Sequence, residues 1–144
     1  MKGLIMGAFL CLLTATTPEV NEFTYDEAQL MMRTAQAEAG NQGEDGMWLV
    51  MSCIVNRVNS ESEDFPDTIY EVCHQKGQFS TVESGVINKV ELSPECHTAL
   101  ARIEKGEVAE SIVAFENKRS KSLDKYFSEV FCYRDHRFYT PLIH

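Results

Sequence analysis

The chain has 144 residues and a formal net charge of -9 at pH 7. That length supports one well-built hydrophobic core rather than two. The acidic surplus removes nucleic acid from the partners, because phosphate binding rests on an excess of Lys and Arg. A polyanionic target would have to be gripped by shape and hydrogen bonds.

The first residues read MKGLIMGAFLCLLTATTPEV. Lys2 gives a positive start, Gly3 to Leu13 form an apolar run too short to span a bilayer, and small residues follow at Thr14, Ala15 and Thr16. Residues 1–17 are therefore expected to act as a secretory signal peptide or a short N-terminal anchor, with no stable membrane insertion after removal. Four cysteines lie beyond this segment: Cys53, Cys73, Cys96 and Cys132. In an exported chain they permit two disulfides in three pairings, with Cys73 to Cys96 preferred because both lie at element ends. Cys53, inside a periodic helix, also reads as a small buried apolar residue. The doublets Cys73-His74 and Cys96-His97 are adjacent residues and point poorly at one ion, so no metal site is expected.

TYDE, from Thr24 to Glu27, has the form of a capping box and predicts a first helix from about Tyr25 to Ala39. The segment EDGMWLVMSCIVNRVNS then carries Met47, Val50, Met51, Ile54, Val55 and Val58 at one-face helical spacing, with Glu44 and Asp45 at its positive end. Asp67 is the expected N-cap of a short helix through Ile69 and Val72. QKGQFSTVESG, between Gly77 and Gly85, reads as a polar loop or hairpin. Ser93 and Pro94 start a further helix that Gly106 stops. SIVAFEN and VFCYRDHRFYT read as short strands around a loop from Lys118 to Lys125. The expectation is a mainly α domain (α+β with a small β portion), compact and single, over residues 24–140.

One residue conflicts with this pattern. Positions four and seven after Met31 are Ala35 and Glu38, so a carboxyl falls on the face that should be apolar. It is either a helix-end residue reaching water or a working acid. Asn56 and Arg57 lie on the core helix and read as structural hydrogen-bonders. Trp48 reads as packing.

The order of the pieces is informative. AEAG ends one helix, VNRV lies in the next, FPDTIYEVCHQKGQFS follows, and DHRFYT closes the domain. Together they resemble the cell wall hydrolase family that includes the SleB spore cortex-lytic enzymes, over roughly Arg33 to Thr140. The resemblance implies a lysozyme-like, lytic transglycosylase-like fold with Glu38 as catalytic acid and base. It also implies Gln78, Phe79 and Ser80 along a glycan groove. Alternate side chains of the closing strand face opposite ways, so His136 and Phe138 should share one face and Tyr139 the other, where it is a candidate substrate-binding residue. The chain departs from that pattern at Gln36 and Ala37, where relatives often carry an aromatic, and at Gly40 and Asn41, which replace a basic residue.

The chemistry suits a carboxyl in that place. Glycosidic cleavage needs a proton on the leaving oxygen, while a free Glu titrates near about 4.3, and a partly apolar setting favours the neutral acid. Inverting hydrolysis needs a second carboxylate roughly 6.5–9.5 Å away. In a lytic transglycosylase the sugar's own C6 hydroxyl attacks, so one Glu serves twice. The expected activity is cleavage of the MurNAc-GlcNAc β-1,4 bond of peptidoglycan by a secreted or cell-envelope bacterial monomer. Its partner is the glycan strand, and no metal or organic cofactor is required. The alternatives are a non-catalytic peptidoglycan-binding or inhibitory domain, and a small stabilised extracellular protein without sugar chemistry.

Overall fold

The computed structural model describes residues 22–142; the leader expected at residues 1–17 lies outside them. Helix α1 (Tyr25–Ala39) starts with the reciprocal cap read from the sequence. The Thr24 hydroxyl accepts from the Glu27 backbone N–H at 3.2 Å, and the Glu27 carboxylate accepts from the Thr24 N–H at 2.9 Å. A cap of this kind contributes about 1 kcal/mol. A short 3-10 turn (Gly40–Gln42) leads into α2 (Gly43–Val58), the central helix of the domain. Met47, Val50, Met51, Ile54 and Val55 pack with Met31, Ala35 and Ala39 of α1 in the larger apolar cluster, and Val58 is only partly buried beside them. Leu49 and Cys53 belong to a second cluster with Ile112 and Phe138. The one-face stripe is therefore half of the packing, and the other face of α2 meets the sheet.

Helix α3 (Ile69–His74) is capped by Thr68 and not by Asp67. The Thr68 hydroxyl accepts from the Glu71 N–H at 3.1 Å and donates to its carboxylate at 2.9 Å, so Thr68 to Glu71 is a second Thr-x-x-Glu cap. The stretch expected as loop or hairpin contains a one-turn helix, α4 (Ser80–Glu83), and a 3-10 turn (Val86–Asn88), joined through Gly85 in the left-handed region at φ 75. Buried Phe79, Val82 and Ile87 fix these turns to the core, which outweighs the polar composition of the segment. Helix α5 (Pro94–Glu104) opens on Ser93, whose hydroxyl accepts from the Cys96 N–H at 3.2 Å, and packs on α1 and α2.

The sheet has three strands, β1 (Ala114–Asn117), β2 (Phe127–Tyr133) and β3 (His136–Pro141), in the antiparallel order β1-β3-β2. VFCYRDHRFYT thus folds as a hairpin instead of one strand. Its turn has no glycine or proline to mark it. Arg134 takes a positive φ of 48, and its guanidinium lies 5.5 Å from the Tyr133 ring centroid. The hairpin turn docks on the connection after α1. Gln42 donates to the Asp135 carboxylate at 3.2 Å and accepts from the Asp135 N–H at 3.0 Å. Gly46 is required for this approach, because a Cβ there would meet the Gln42 Cβ at 2.3 Å.

Among the described residues the cysteines are free: Cys53, Cys73 and Cys96 are buried and Cys132 is exposed. The expected Cys73 to Cys96 disulfide is absent. The two residues instead fill the larger apolar cluster, and the Cys96 thiol donates to the Met32 carbonyl at 3.4 Å. Burial pushes the thiols up, Cys53 to about 12 and Cys73 and Cys96 to about 11. His74 stacks on Tyr70 with ring centroids 4.0 Å apart. Among the described residues no group of three or more His, Cys, Asp or Glu side chains is placed to hold a metal ion.

Candidate active site

Glu38 stands on the last turn of α1, half-buried between fully buried Ala35 and Ala39. Its Oε1 accepts a hydrogen bond from the Thr81 hydroxyl at 2.7 Å. Among the described residues no Lys, Arg or His nitrogen lies within ion-pairing distance of the carboxyl. The acid on the apolar face therefore reaches α4, and its partner belongs to the turn that follows Gln78, Phe79 and Ser80. Thr81 was not singled out by the sequence. Its signal is its place in the first turn of a helix that sequence periodicity cannot detect at four residues.

The Gln-Phe-Ser segment divides its roles. Phe79 is 1% exposed, and its ring lies 6.1 Å from Phe115 and 5.7 Å from the Arg57 guanidinium. It anchors the segment and borders a cavity of about 240 Å³. Gln78 is exposed and borders that cavity together with a neighbouring one of about 540 Å³, whose walls include Phe65, Gln75, Tyr126 and Phe127. Ser80 is exposed at the first position of α4. Glu38 borders neither cavity; it is tied to them through residues 78–81.

Tyr139 is not a groove residue. It is fully buried, and its hydroxyl shares its one hydrogen between the Glu116 carboxylate at 2.6 Å and the Asp124 carboxylate at 2.9 Å. His136 and Phe138 share the opposite face, as strand alternation requires, both against Phe115. Strand alternation separates the faces without saying which is open, and here Tyr139 points into a third apolar cluster with Val113 and Ala114. The Glu116 carboxylate also accepts from Ser120 at 2.6 Å, Ser122 at 2.7 Å and the Leu123 N–H at 3.2 Å. Desolvation pushes this carboxyl up, but the hydrogen bonds from Ser120, Tyr139, Ser122 and Leu123 outweigh it and hold Glu116 at about 2. Burial pushes the His136 imidazole down, with the Asp135 carboxylate acting against it.

Asn56 and Arg57 take structural roles. Asn56 donates to the carbonyls of Ala109 at 2.7 Å and Ile112 at 2.8 Å, and Arg57 Nε donates to the Val113 carbonyl. The two side chains thereby hold the chain leading into β1 against α2. Trp48 donates to the Glu107 carbonyl at 2.7 Å under the Arg102 guanidinium, 4.0 Å from its ring.

The fold and site thus define a small, mainly helical domain with an antiparallel sheet, carrying one half-buried carboxyl at a helix end that is hydrogen-bonded to the turn after Gln78 and Phe79. The sequence model of the cell wall hydrolase family matches residues 41–139, and the chain belongs to that family, whose activity is cell wall breakdown. The match begins just after Glu38. No curated protein sequence matches the chain. The catalytic domain of the Bacillus cereus SleB protein has the same fold, with a TM-score of 0.69 at 19% identity, over 83% of this chain and 94% of that one. The catalytic domain of the germination-specific lytic transglycosylase SleB from Bacillus anthracis superposes with a TM-score of 0.69 at 18% identity, over 83% of this chain and 98% of that one.

Proposed function

We propose that this chain cleaves the MurNAc-GlcNAc β-1,4 bond of peptidoglycan as a lytic transglycosylase, with Glu38 as acid and then base. The observation that carries this reading is the Glu38 carboxyl at the edge of the core, held by Thr81 at 2.7 Å. With Oε1 engaged as an acceptor, Oε2 is the oxygen that carries the proton to the glycosidic oxygen. As the C1–O4 bond breaks, positive charge develops at C1 and the ionised carboxylate beside it stabilises that charge. The carboxylate then takes the proton of the C6 hydroxyl, whose oxygen closes on C1. The products are a 1,6-anhydro-muramic end and a free 4-hydroxyl, with no water consumed.

The single-acid route is supported by how the neighbouring carboxylates are engaged. Glu44 and Asp45 pair with Arg102 at 3.1 and 2.7 Å. Glu83 accepts from the Gly77 N–H at 2.6 Å, and Asp135 is bound to Gln42 and to Lys118 at 3.3 Å. Glu116 accepts four hydrogen bonds. Glu116 and Asp135 have both oxygens engaged and are poor water-activating bases, which favours the single-acid route. Gln78 supplies polar contacts to the strand from the rim, and exposed Ser80 does so from the start of α4. Export to the cell envelope through residues 1–17 completes the proposal; among the described residues no helix is long and apolar enough to cross a membrane.

The test is digestion of purified peptidoglycan by the full chain and its Glu38→Gln variant, with products weighed by mass spectrometry. Anhydro ends from wild type alone are expected. Reducing ends would replace transglycosylation by hydrolysis. Digestion of equal extent by both proteins would remove Glu38 from the chemistry, and binding without digestion by wild type would leave a wall-binding domain.

A further inference from the structure

Arg57 is the one buried cation among the described residues, 4% exposed. Its Nε is satisfied by the Val113 carbonyl, but Nη1 is buried with no hydrogen-bond partner. No carboxylate among the described residues lies within ion-pairing distance of it. The rings beside it, Phe65 at 5.3 Å and Phe79 at 5.7 Å, offer cation-π attraction and no acceptor in the guanidinium plane. A buried donor left unpaired carries a desolvation cost that an acceptor brought by a ligand removes.

Arg57 borders the cavity of about 240 Å³, whose other walls include Phe79, Phe115, Leu123 and Phe127, with Gln78 at the rim. That volume is below the roughly 300–1,000 Å³ of sites that hold a whole small ligand, so it suits a substituent. The adjoining cavity of about 540 Å³ lies within that range and shares Gln78 and Phe127 with the smaller one. A sugar ring in the larger space can therefore direct a side group into the smaller.

Three features select the side group. Arg57 needs an acceptor, the phenyl rings need an apolar end, and the Glu116 carboxylate on the same wall opposes a second anion. A carboxylate satisfies the first and fails the third. An acetamido group satisfies all three, being neutral with a carbonyl at one end and a methyl at the other. We propose that the Arg57 cavity is an N-acetyl subsite. The acetamido carbonyl of an amino sugar accepts from Arg57, and its methyl packs against the wall that Phe79 and Phe115 form. The inference rests on the glycosidase reading for its ligand class, and it gives the cleft a reason to select N-acetylated glycans.

The test compares chitotetraose with cellotetraose, a neutral analogue carrying a hydroxyl in place of each acetamido group. Binding is measured by calorimetry on the full chain carrying Glu38→Gln, and by saturation-transfer NMR on wild type, which needs no substitution in the cavity. The expected result is binding of cellotetraose at least about tenfold weaker, the loss that follows from an unpaired buried donor. The acetyl methyl protons should take the strongest saturation. A GlcNAc-MurNAc disaccharide arm separates the two sources of the group, because chitotetraose carries only GlcNAc. Preference for either acetylated ligand over the cello-oligosaccharide supports the subsite. Equal affinity for both tetrasaccharides, undetectable binding of every sugar, or saturation confined to ring protons overturns it, as does displacement of the sugar by free stem peptide. Loss of digestion in Glu38→Gln reports on catalysis alone, so either idea can fail while the other stands.

Discussion

Glu116→Gln should make the domain less stable at neutral pH and less sensitive to acid over a defined window. The Glu116 carboxylate is held at about 2 against an ordinary value of 4.5. A depressed folded-state value means that the unfolded chain binds the proton more readily, so the contribution is complete above the unfolded value and disappears as pH falls toward 2. The difference is about 2.5 pH units, and at 1.36 kcal/mol per unit it corresponds to about 3 kcal/mol. The carboxyl sits at a cavity edge with partial access to solvent, and screening reduces this to about 2 kcal/mol. Set against the roughly 5–15 kcal/mol of a typical domain, that is a measurable fraction. Glutamine retains one acceptor oxygen but presents an amide donor to the Ser120 and Ser122 hydroxyls, which now donate to the carboxylate at 2.6 and 2.7 Å. Urea unfolding at pH 7, 4.5 and 3 should show wild type losing stability between the last two values while the variant stays flatter. Parallel curves for the two proteins across that range would refute the assignment of this hydrogen-bond cluster as the source of acid sensitivity.

Thr81→Val removes the donor to Glu38 Oε1 while keeping the side chain's shape; kcat on soluble glycan strands should fall about tenfold with KM within about twofold, and Thr81→Ser should restore it. A change confined to KM would make Thr81 a binding residue instead of a positioning one. Arg102→Met deletes ion pairs to Glu44, Asp45 and Glu107 together with the 4.0 Å stacking on Trp48. It should cost about 1–2 kcal/mol in urea unfolding, less in 1 M salt, and shift the emission of the single tryptophan; unchanged emission would deny the contact. Of the four described cysteines, Cys132 alone should react with a thiol reagent in the native protein, and Cys53, Cys73 and Cys96 should follow only in denaturant. Rapid native labelling of a second described thiol would contradict their burial.

The first, second and fifth helices follow from local rules, because capping boxes, stripes and stop residues act over four to eight positions. What the sequence conceals depends on contacts made across the chain. The second face of α2 is invisible in its stripe because Leu49 and Cys53 are buried only when Ile112 and Phe138 arrive from 59 or more residues away. The α4 turn is polar in composition and forms because Phe79 and Val82 enter a core that other elements build. The hairpin at Arg134 lacks turn chemistry of its own and is fixed by the Gln42 to Asp135 pair. Strand alternation puts Tyr139 opposite His136 and Phe138, yet which face is open depends on the cluster of Val113, Ala114 and Leu123 behind it.

The same distinction explains why Glu38 stands out in the sequence and Thr81 does not. Glu38 breaks an apolar pattern on a long helix, and a broken periodicity is visible locally. Thr81 conforms to its surroundings and gains significance only when α4 is laid beside the end of α1. That meeting depends on Phe79, since its buried ring sets where residues 80–83 begin, and on Arg57, whose guanidinium stands 5.7 Å from that ring while Nε holds Val113 at the entry to β1. A single buried arginine thus joins the segment that carries Thr81 to the strand that lines the smaller cavity. Its charge is tolerated in the interior because the carbonyl and the rings partly compensate it, and the donor left unpaired at Nη1 is what a neutral acceptor on the substrate would complete.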